Sequence, residues 1–310
     1  MLPKSMLVSE LIKTHPDPPQ YVVDGFLAVG GLSLLVAAPK AGKSTLARNL
    51  QVQVARGGKF FGRSTYRVPI VYLALEEPIE HVASEFITLG VNNEEIHVRV
   101  GAIPHAQVIE VLESDIREYH AGLAIVDPLF DALGDVDVNS YGEMNRALKE
   151  ILAIARATKC HVMILHHANK RDGWGGSTVL GSQATSGATD HNAFLTMRRD
   201  GTRYFESQAR VGTPFELCTL AFDDDTHSLY IASSVKDVRR AAIAHELLAV
   251  LEAEGELNVS DWRAKVRGRN TDKAEAICAL EEQGLIIKRL AGRNTFWGVM
   301  DEHNRSTASQ

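Results

Sequence analysis

Four points along the chain place reactive side chains at the end of an apolar run. Lys43 and Ser44 come shortly after the run 32–37, Glu76 and Glu77 after 69–75, Asp127 after 121–126, and His166 and His167 after 161–165. An ammonium, a hydroxyl, carboxylates and imidazoles at strand ends are what an open α/β sheet uses for its chemistry. The first point is the most specific. Ala37-Ala38-Pro39-Lys40-Ala41-Gly42-Lys43-Ser44-Thr45 follows the phosphate-loop pattern of a glycine, four residues and Gly-Lys-Ser/Thr, with Ala37 in place of the first glycine. Gly42 lets the backbone come close to a phosphate. The N–H groups of the loop and of the helix start point at the anion. Ala38, Pro39, Lys40, Ala41, Gly42, Lys43, Ser44 and Thr45 are thus expected to cradle ATP. Lys43 reaches its β- and γ-phosphates as a point charge, and Ser44 ligates Mg²⁺ through its hydroxyl.

The other three points fit the same substrate. Asp127 closes an apolar run about eighty residues after the loop, where a carboxylate holds Mg²⁺ directly or through water. A carboxylate at 76 or 77 can polarise an attacking water. The same pair can cap the helix that follows, and both readings hold if the two glutamates divide the tasks. His166-His167 offers a polar group that hydrogen-bonds a γ-phosphate and reports its loss, or else a satisfied histidine pair at a strand exit. The spacing fixes no third ligand for a metal there.

These residues need elements to position them. Residues 42–56 read as a helix with Leu46, Leu50 and Val54 on one side and Gly57-Gly58 as its stop. Residues 7–13, 79–89, 105–119 and 143–158 are further helices; Pro16, Pro18 and Pro19 stop the first. Residues 96–100 form a short strand, and 131–142 an acidic loop. In 168–190 Gly, Ser and Thr dominate, with Lys170, Arg171 and Trp174 among them. A loop of that length is functional or disordered, and basic and aromatic residues on it suit single-stranded nucleic acid. Strands 193–198, 204–210, 215–222 and 228–232 follow with no helix between them, which makes them antiparallel additions to a parallel core.

Composition shifts near Ser233-Ser234, which reads as a linker. Helices 238–254, 261–267 and 271–283, the last capped by Thr271, and strands 284–289 and 294–299 around the turn 290–293 spell a winged helix-turn-helix. Arg263, Lys265, Arg267, Arg269 and Lys273 against Asp272 form a local positive patch suited to duplex phosphates. Arg293 at the wing tip can enter a groove. The same small fold also serves as a protein-contact module. The expected organisation is an N-terminal segment 1–20, a nucleotide-binding α/β domain 21–233, a winged helix 236–300 and a disordered tail 301–310.

The 310 residues, 45% hydrophobic and 23% charged, describe a soluble globular chain able to bury a real core. No apolar run reaches the length of a membrane span. The first residues show no secretory pattern, and Cys160, Cys218 and Cys278 lie far apart, so a cytoplasmic protein is expected. The net charge is −6, yet residues 236–300 carry 11 Lys+Arg against 10 Asp+Glu. The acidic excess therefore sits in the nucleotide-binding part, and any contact with nucleic acid must be local.

Over roughly residues 20–232 the chain resembles RecA-like P-loop ATPases of the plasmid RepA type, which are hexameric helicases related more distantly to DnaB-type replicative helicases. The resemblance rests on Gly30-Gly31-Leu32-Ser33-Leu34-Leu35-Val36-Ala37, residues 39–45, Tyr72-Leu73-Ala74-Leu75-Glu76-Glu77-Pro78, Ile125-Val126-Asp127-Pro128 and Leu165-His166-His167. It implies a RecA-like α/β core with ATP hydrolysed between subunits of a ring, commonly of six. It gives Glu76 the water-activating role and His167 a place in the γ-phosphate sensor. Such families also supply a cation from the neighbouring subunit. Ser207-Gln208-Ala209-Arg210-Val211-Gly212 is similar to that segment, so Arg210 is the arginine-finger candidate, with Gln208 where a lysine is usual. The implied function is a DNA-acting, helicase-type ATPase in plasmid, phage or mobile-element replication. The alternative is an ATP-switched, DNA-bound oligomer that recruits partners without unwinding. The acidic 131–142 segment weighs against a motor, and Lys170 and Arg171 leave room for one.

Overall fold

All six side chains of Leu32–Ala37 are buried, so this segment can only be an interior strand, covered on both faces. The computed structural model describes residues 5–14, 17–38, 40–128, 141–167, 189–198, 201–291 and 294–300. Two compact units divide the chain, Met1–Ala232 and Ser233–Gln310.

The first unit opens with α1 (Val8–Thr14), β1 (Tyr21–Val23) and β2 (Leu27–Ala28). β3 (Leu32–Ala37) leads into α2 (Lys43–Arg56), which is followed by a hairpin of β4 (Lys59–Phe60) and β5 (Arg63–Ser64). Then come β6 (Ile70–Ala74), α3 (Ile79–Thr88), β7 (Ile96–Val100), α4 (His105–Glu118), β8 (Leu123–Asp127), α5 (Tyr141–Thr158) and β9 (His161–His167). Four strands close the unit: β10 (His191–Met197), β11 (Arg203–Ala209), β12 (Cys218–Asp223) and β13 (Ser228–Ser234).

One nine-stranded sheet has the order β13-β12-β11-β10-β3-β9-β8-β6-β7. The strands from β10 to β7 pair in parallel, while β11 runs antiparallel to β10 and to β12. Successive side chains of β3 point to opposite faces. Leu35 and Ala37 join a core with Leu46, Leu50 and Val54 of α2; Leu32, Leu34 and Val36 join one with Leu112 of α4 and Leu148 and Ile151 of α5. Helices on both faces of a mostly parallel sheet are the expected α/β architecture.

The second unit contains α6 (Val235–Glu254), β14 (Leu257–Asn258), α7 (Val259–Lys265), α8 (Asn270–Glu282), β15 (Ile286–Ala291) and β16 (Asn294–Val299). The strands form a sheet of order β14-β16-β15. Trp262 is fully buried in its core, and its Nε1–H donates to the Leu247 carbonyl at 2.8 Å.

Several boundaries differ from expectation for local reasons. The two units divide at Ser233, beside the expected linker Ser233-Ser234, and the residues there are in regular structure: β13 runs through Ser234, which caps α6 by accepting from the Asp237 N–H in a reciprocal capping box. Thr271 is no cap, because α8 starts one residue earlier and Arg269 holds the cap position. β12 begins at Cys218, since the Phe215 N–H donates to Ser207 Oγ at 2.7 Å and its ring packs edge-on against Phe26. β15 extends to Ala291, shortening the supposed turn. Pro39, the acidic residues 131–138, Lys170, Arg171, Trp174, Asp200, Arg293 and the tail 301–310 lie outside the described residues.

Candidate nucleotide-binding site

Register decides which residues meet. Ala37 at the end of β3 lies beside His167 at the end of β9, and Ala74 of β6 lies beside Asp127 of β8. The phosphate loop, Glu76-Glu77, Asp127 and His167 therefore collect along one edge of the sheet. A cavity of about 430 Å³ opens there, with Ala38, Lys40, Gly42, Lys43, Ser44, Thr45, Glu76, Asp127 and His167 in its lining. Ala41 is fully buried behind it.

Gly42 sits at φ 98° at the head of α2, a conformation that costs other residues strain. A Cβ there would find only ordinary contacts, the nearest being Arg203 Nε at 3.7 Å. Backbone angle, not crowding, demands the glycine. No side chain caps the first turn of α2, and no acidic residue lies in it. Its N–H groups are left for an anion, which the helix dipole also favours. Arg203 of β11 steadies the loop by donating from Nε to the Ala41 carbonyl at 3.2 Å.

Lys43 and Asp127 are both nearly buried and paired, with Nζ 2.8 Å from Oδ1. The Ser44 hydroxyl donates to the other oxygen, Oδ2, at 2.7 Å. Lys43 Nζ is also 3.3 Å from His167 Nε2. Burial, then the Lys43 charge, holds the His167 imidazole below its ordinary pKa. A neutral ring can accept from Lys43. Ser44 and Asp127 present hard oxygen donors side by side, as a small divalent cation requires, and the ammonium beside them suits the phosphates such a cation accompanies. The residues present therefore fit a magnesium nucleotide.

The two adjacent glutamates behave differently. The Glu76 side chain is 57% exposed and its Oε2 is 4.0 Å from His167 Nε2. Glu77 is 20% exposed and paired with Arg48 of α2. Burial and the neighbouring Asp127, with a smaller contribution from Glu77, keep the Tyr72 hydroxyl protonated. Arg48, His81 and Glu85 also line the cavity. Sequence reading missed these three and Arg203. A charged residue inside an amphipathic helix normally faces solvent, and the one available signal was that Arg48 has no carboxylate three or four residues away in its helix.

Arg210 is not among these residues. β11 runs opposite to β10, so Ala209 lies beside His191, which lies beside Ser33 at the start of β3. Arg210 thus stands at the far edge of the sheet, separated from the loop by about five residues of strand, roughly 17 Å. There its Nη2 donates to Asp190 Oδ1 at 3.1 Å, while Asp190 Oδ2 accepts from the Leu32 N–H.

Comparison with known proteins agrees with this geometry. Residues 2–173 match the AAA domain family. The DNA repair protein RadA of Bacillus subtilis (strain 168) is 24% identical over 173 residues, which are 54% of this chain and 34% of RadA. The chain thus spans about a third of the length of that curated relative. The crystal structure of a KaiC-like protein from Pyrococcus horikoshii OT3 superposes with a TM-score of 0.52 at 13% identity, over 69% of this chain and 99% of that one, which shows a shared fold. Phosphate loop, sheet order and family match together make the chain a member of the AAA domain family, a RecA-like P-loop ATPase.

Proposed function

We propose that the chain is a DNA-acting ATPase of the RepA and DnaB helicase type that hydrolyses ATP between copies of itself. The observation that carries this reading is the separation of parts. One edge of the sheet gathers Lys43, Ser44, Asp127, Glu76 and His167, while Arg210 stands at the other. A finger that cannot reach its own phosphate loop can serve only a neighbour's. Helix α1 and the residue before it leave Leu7, Val8, Leu11 and Ile12 exposed, apolar surface of the kind that another copy covers.

In this reading the loop and α2 N–H groups and Lys43 hold the β- and γ-phosphates. Ser44 and Asp127 hold Mg²⁺, which when bound neutralises phosphate charge. Glu76 accepts a hydrogen bond from water and orients it toward the γ-phosphorus. His167, neutral and tied to Lys43, senses whether the γ-phosphate is present. Arg210 of the next copy stabilises the charge spread over the transferring group, an effect of about 10³–10⁵ in rate where such fingers act.

DNA enters from two sides. RadA is named a DNA repair protein, and its similarity covers 173 residues. The second unit has the helix and strand order of a winged helix and exposes Arg267 and Arg269 between α7 and α8. Its patch is smaller than the sequence implies. Lys273 is buried and donates to the Arg263 carbonyl at 2.8 Å, and Lys265 pairs with Glu254 at 2.9 Å. Helix α8 itself shows solvent Glu281 and Glu282, like charges to a phosphate backbone. Duplex contact therefore falls to the α7–α8 turn. That acidic helix favours the second reading, an ATP-switched oligomer that recruits a partner without unwinding.

The test mixes two inactive chains, Lys43→Ala and Arg210→Ala, with and without single- and double-stranded DNA. Random mixing leaves roughly a quarter of the interfaces with both parts intact, so partial turnover should return. No recovery, with both chains assembled, would overturn the shared site. DNA-stimulated turnover with strand separation supports the motor; assembly on DNA without separation supports the switch.

A further inference from the structure

Arg48 stands in the wall of the nucleotide cavity, 2% exposed, on the second turn of α2. Its helix neighbours Leu46, Ala47 and Leu50 are apolar and buried, and Asn49 and Gln51 beside them are buried but uncharged. Its guanidinium bonds Glu77 in the turn between β6 and α3, and its Nη1 lies 3.7 Å from Glu85 Oε2 on α3. His81 Nε2 is 3.4 Å from the same Glu77 oxygen, and His227 Nδ1 is 3.8 Å from the other Glu85 oxygen. One side chain thereby ties the helix that begins with Lys43 and Ser44 to the turn that carries Glu76 and to the helix behind that turn. The planar guanidinium fixes Glu77 in direction through its hydrogen bond and holds Glu85 within ion-pair range, a geometry a point-charge ammonium does not reproduce.

Two adjacent glutamates at a strand end would otherwise compete for the cavity. Arg48 engages one of them. Both glutamates line the cavity, but Glu77 is paired to α2 at 20% exposure, while Glu76, at 57%, has no such pair to α2 and stands near His167.

We propose that Arg48 is a positioning residue for ATP hydrolysis: by gripping Glu77 and Glu85 it fixes the turn that carries Glu76 and leaves Glu76 as the glutamate that acts on water. This rests on the reading of Glu76 given above. Arg48 itself touches no reacting atom in this scheme, so its loss should fall on the chemical step and not on nucleotide binding. Misplacing a reacting group by about an ångström costs about 10²-fold in rate.

The experiment compares Arg48→Met, Arg48→Lys, Arg48→Met/Glu77→Gln and Glu76→Gln in the full chain, with kcat, KM for ATP and thermal midpoint measured for each. Arg48→Met should lower kcat by about 10²-fold, with KM within about threefold of the parent. Arg48→Lys should recover stability but only part of the rate, because charge returns without the fork. The double variant removes the orphaned carboxylate and should regain thermal stability while kcat stays low. Full kcat in Arg48→Met, or recovery of both stability and kcat in the double variant, would make Arg48 a structural residue only and overturn the proposal. Should Arg48→Met fail to fold, the double variant decides on the same terms. A Glu76→Gln chain that turns over normally would instead sink the assignment of Glu76, whatever the Arg48 variants do.

Discussion

The pair between Lys43 and Asp127 makes a quantitative claim about the nucleotide-free protein. Both side chains are 7% exposed and the charged atoms are 2.8 Å apart. At an effective dielectric near 20 the gross Coulomb attraction is about 6 kcal/mol. Desolvation of both ions removes much of that, so the net worth of the pair is small, but losing one member strands the other. Lys43→Met should therefore destabilise the nucleotide-free chain by about 3 kcal/mol, the stranded Asp127 carboxylate keeping the Ser44 hydroxyl as its one side-chain donor among the described residues. For a unit of this size that is a fall of roughly 6–12 °C in thermal midpoint. Asp127→Asn should cost a similar amount, and the double variant should recover most of the loss, giving a strongly non-additive cycle. Differential scanning calorimetry without nucleotide measures all four corners. Additive losses, or a Lys43→Met chain as stable as the parent, would refute the coupling. Adding ATP and Mg²⁺ should raise the midpoint of the parent and leave the Lys43→Met chain unmoved, since binding stabilises by linkage.

Acid should weaken the first unit through two histidines. Burial lowers both His161 and His191 to about 4, below the ordinary value of 6.5, so the unfolded chain takes up protons first and stability falls as pH drops from about 6.5 to about 4, by about 1.4 kcal/mol per pH unit for each fully shifted group; urea melts at pH 7.5 and 5 should show this, and His161→Gln should flatten the slope. Gly42→Ala should cost about 1–2 kcal/mol of stability from its backbone angle alone and weaken ATP binding further by placing a methyl group in the cradle, which isothermal titration would register. Trp262→Ala should remove about 3–5 kcal/mol from the second unit, so that amide protection is lost across residues 243–299 and kept in 32–37, as hydrogen exchange can resolve.

Much of the first unit is legible in sequence because its strands are interior. Continuous apolar runs such as 32–37 and 70–74 can be little else when a glycine turn or carboxylates follow them. The same logic places Lys43, Ser44, Asp127 and Glu76 on one edge, since parallel strands all end there. What stays hidden depends on packing between distant segments. Helix α2 shows Arg48, Asn49 and Gln51 as polar residues, yet all three are buried. Asn49 accepts from the Leu229 N–H at 2.6 Å and donates to the His227 carbonyl at 3.1 Å, tying α2 to the β12–β13 turn. No periodicity in residues 43–56 announces a partner about 180 residues away. Ser234 is the opposite case: Ser-x-x-Asp is a readable capping signal, and small residues between two units hid it. The positive patch of the second unit misled for another reason, since counting charges cannot tell a solvated lysine from one, like Lys273, spent on a carbonyl.

Chain direction turns these details into a mechanism. A strand added in parallel beside β3 would end at the nucleotide edge and bring its last cation to its own phosphates. β11 is antiparallel, so it begins at that edge and ends at the other. The two arginines of this one strand are separated accordingly. Arg203, at its start, reaches the Ala41 carbonyl of its own loop. Arg210, just past its end, pairs with Asp190 beneath β3. Asp190 also accepts the Leu32 N–H, and His161 next to it bonds the Ala28 carbonyl at 2.7 Å and the Ser33 hydroxyl at 2.9 Å. That far edge is therefore built as firmly as the near one. A cation held on such an edge, about a strand's length from the phosphate loop, keeps one position relative to the sheet. Reversal of a single strand thus places Arg203 at the phosphate loop and Arg210 at the opposite edge of the sheet.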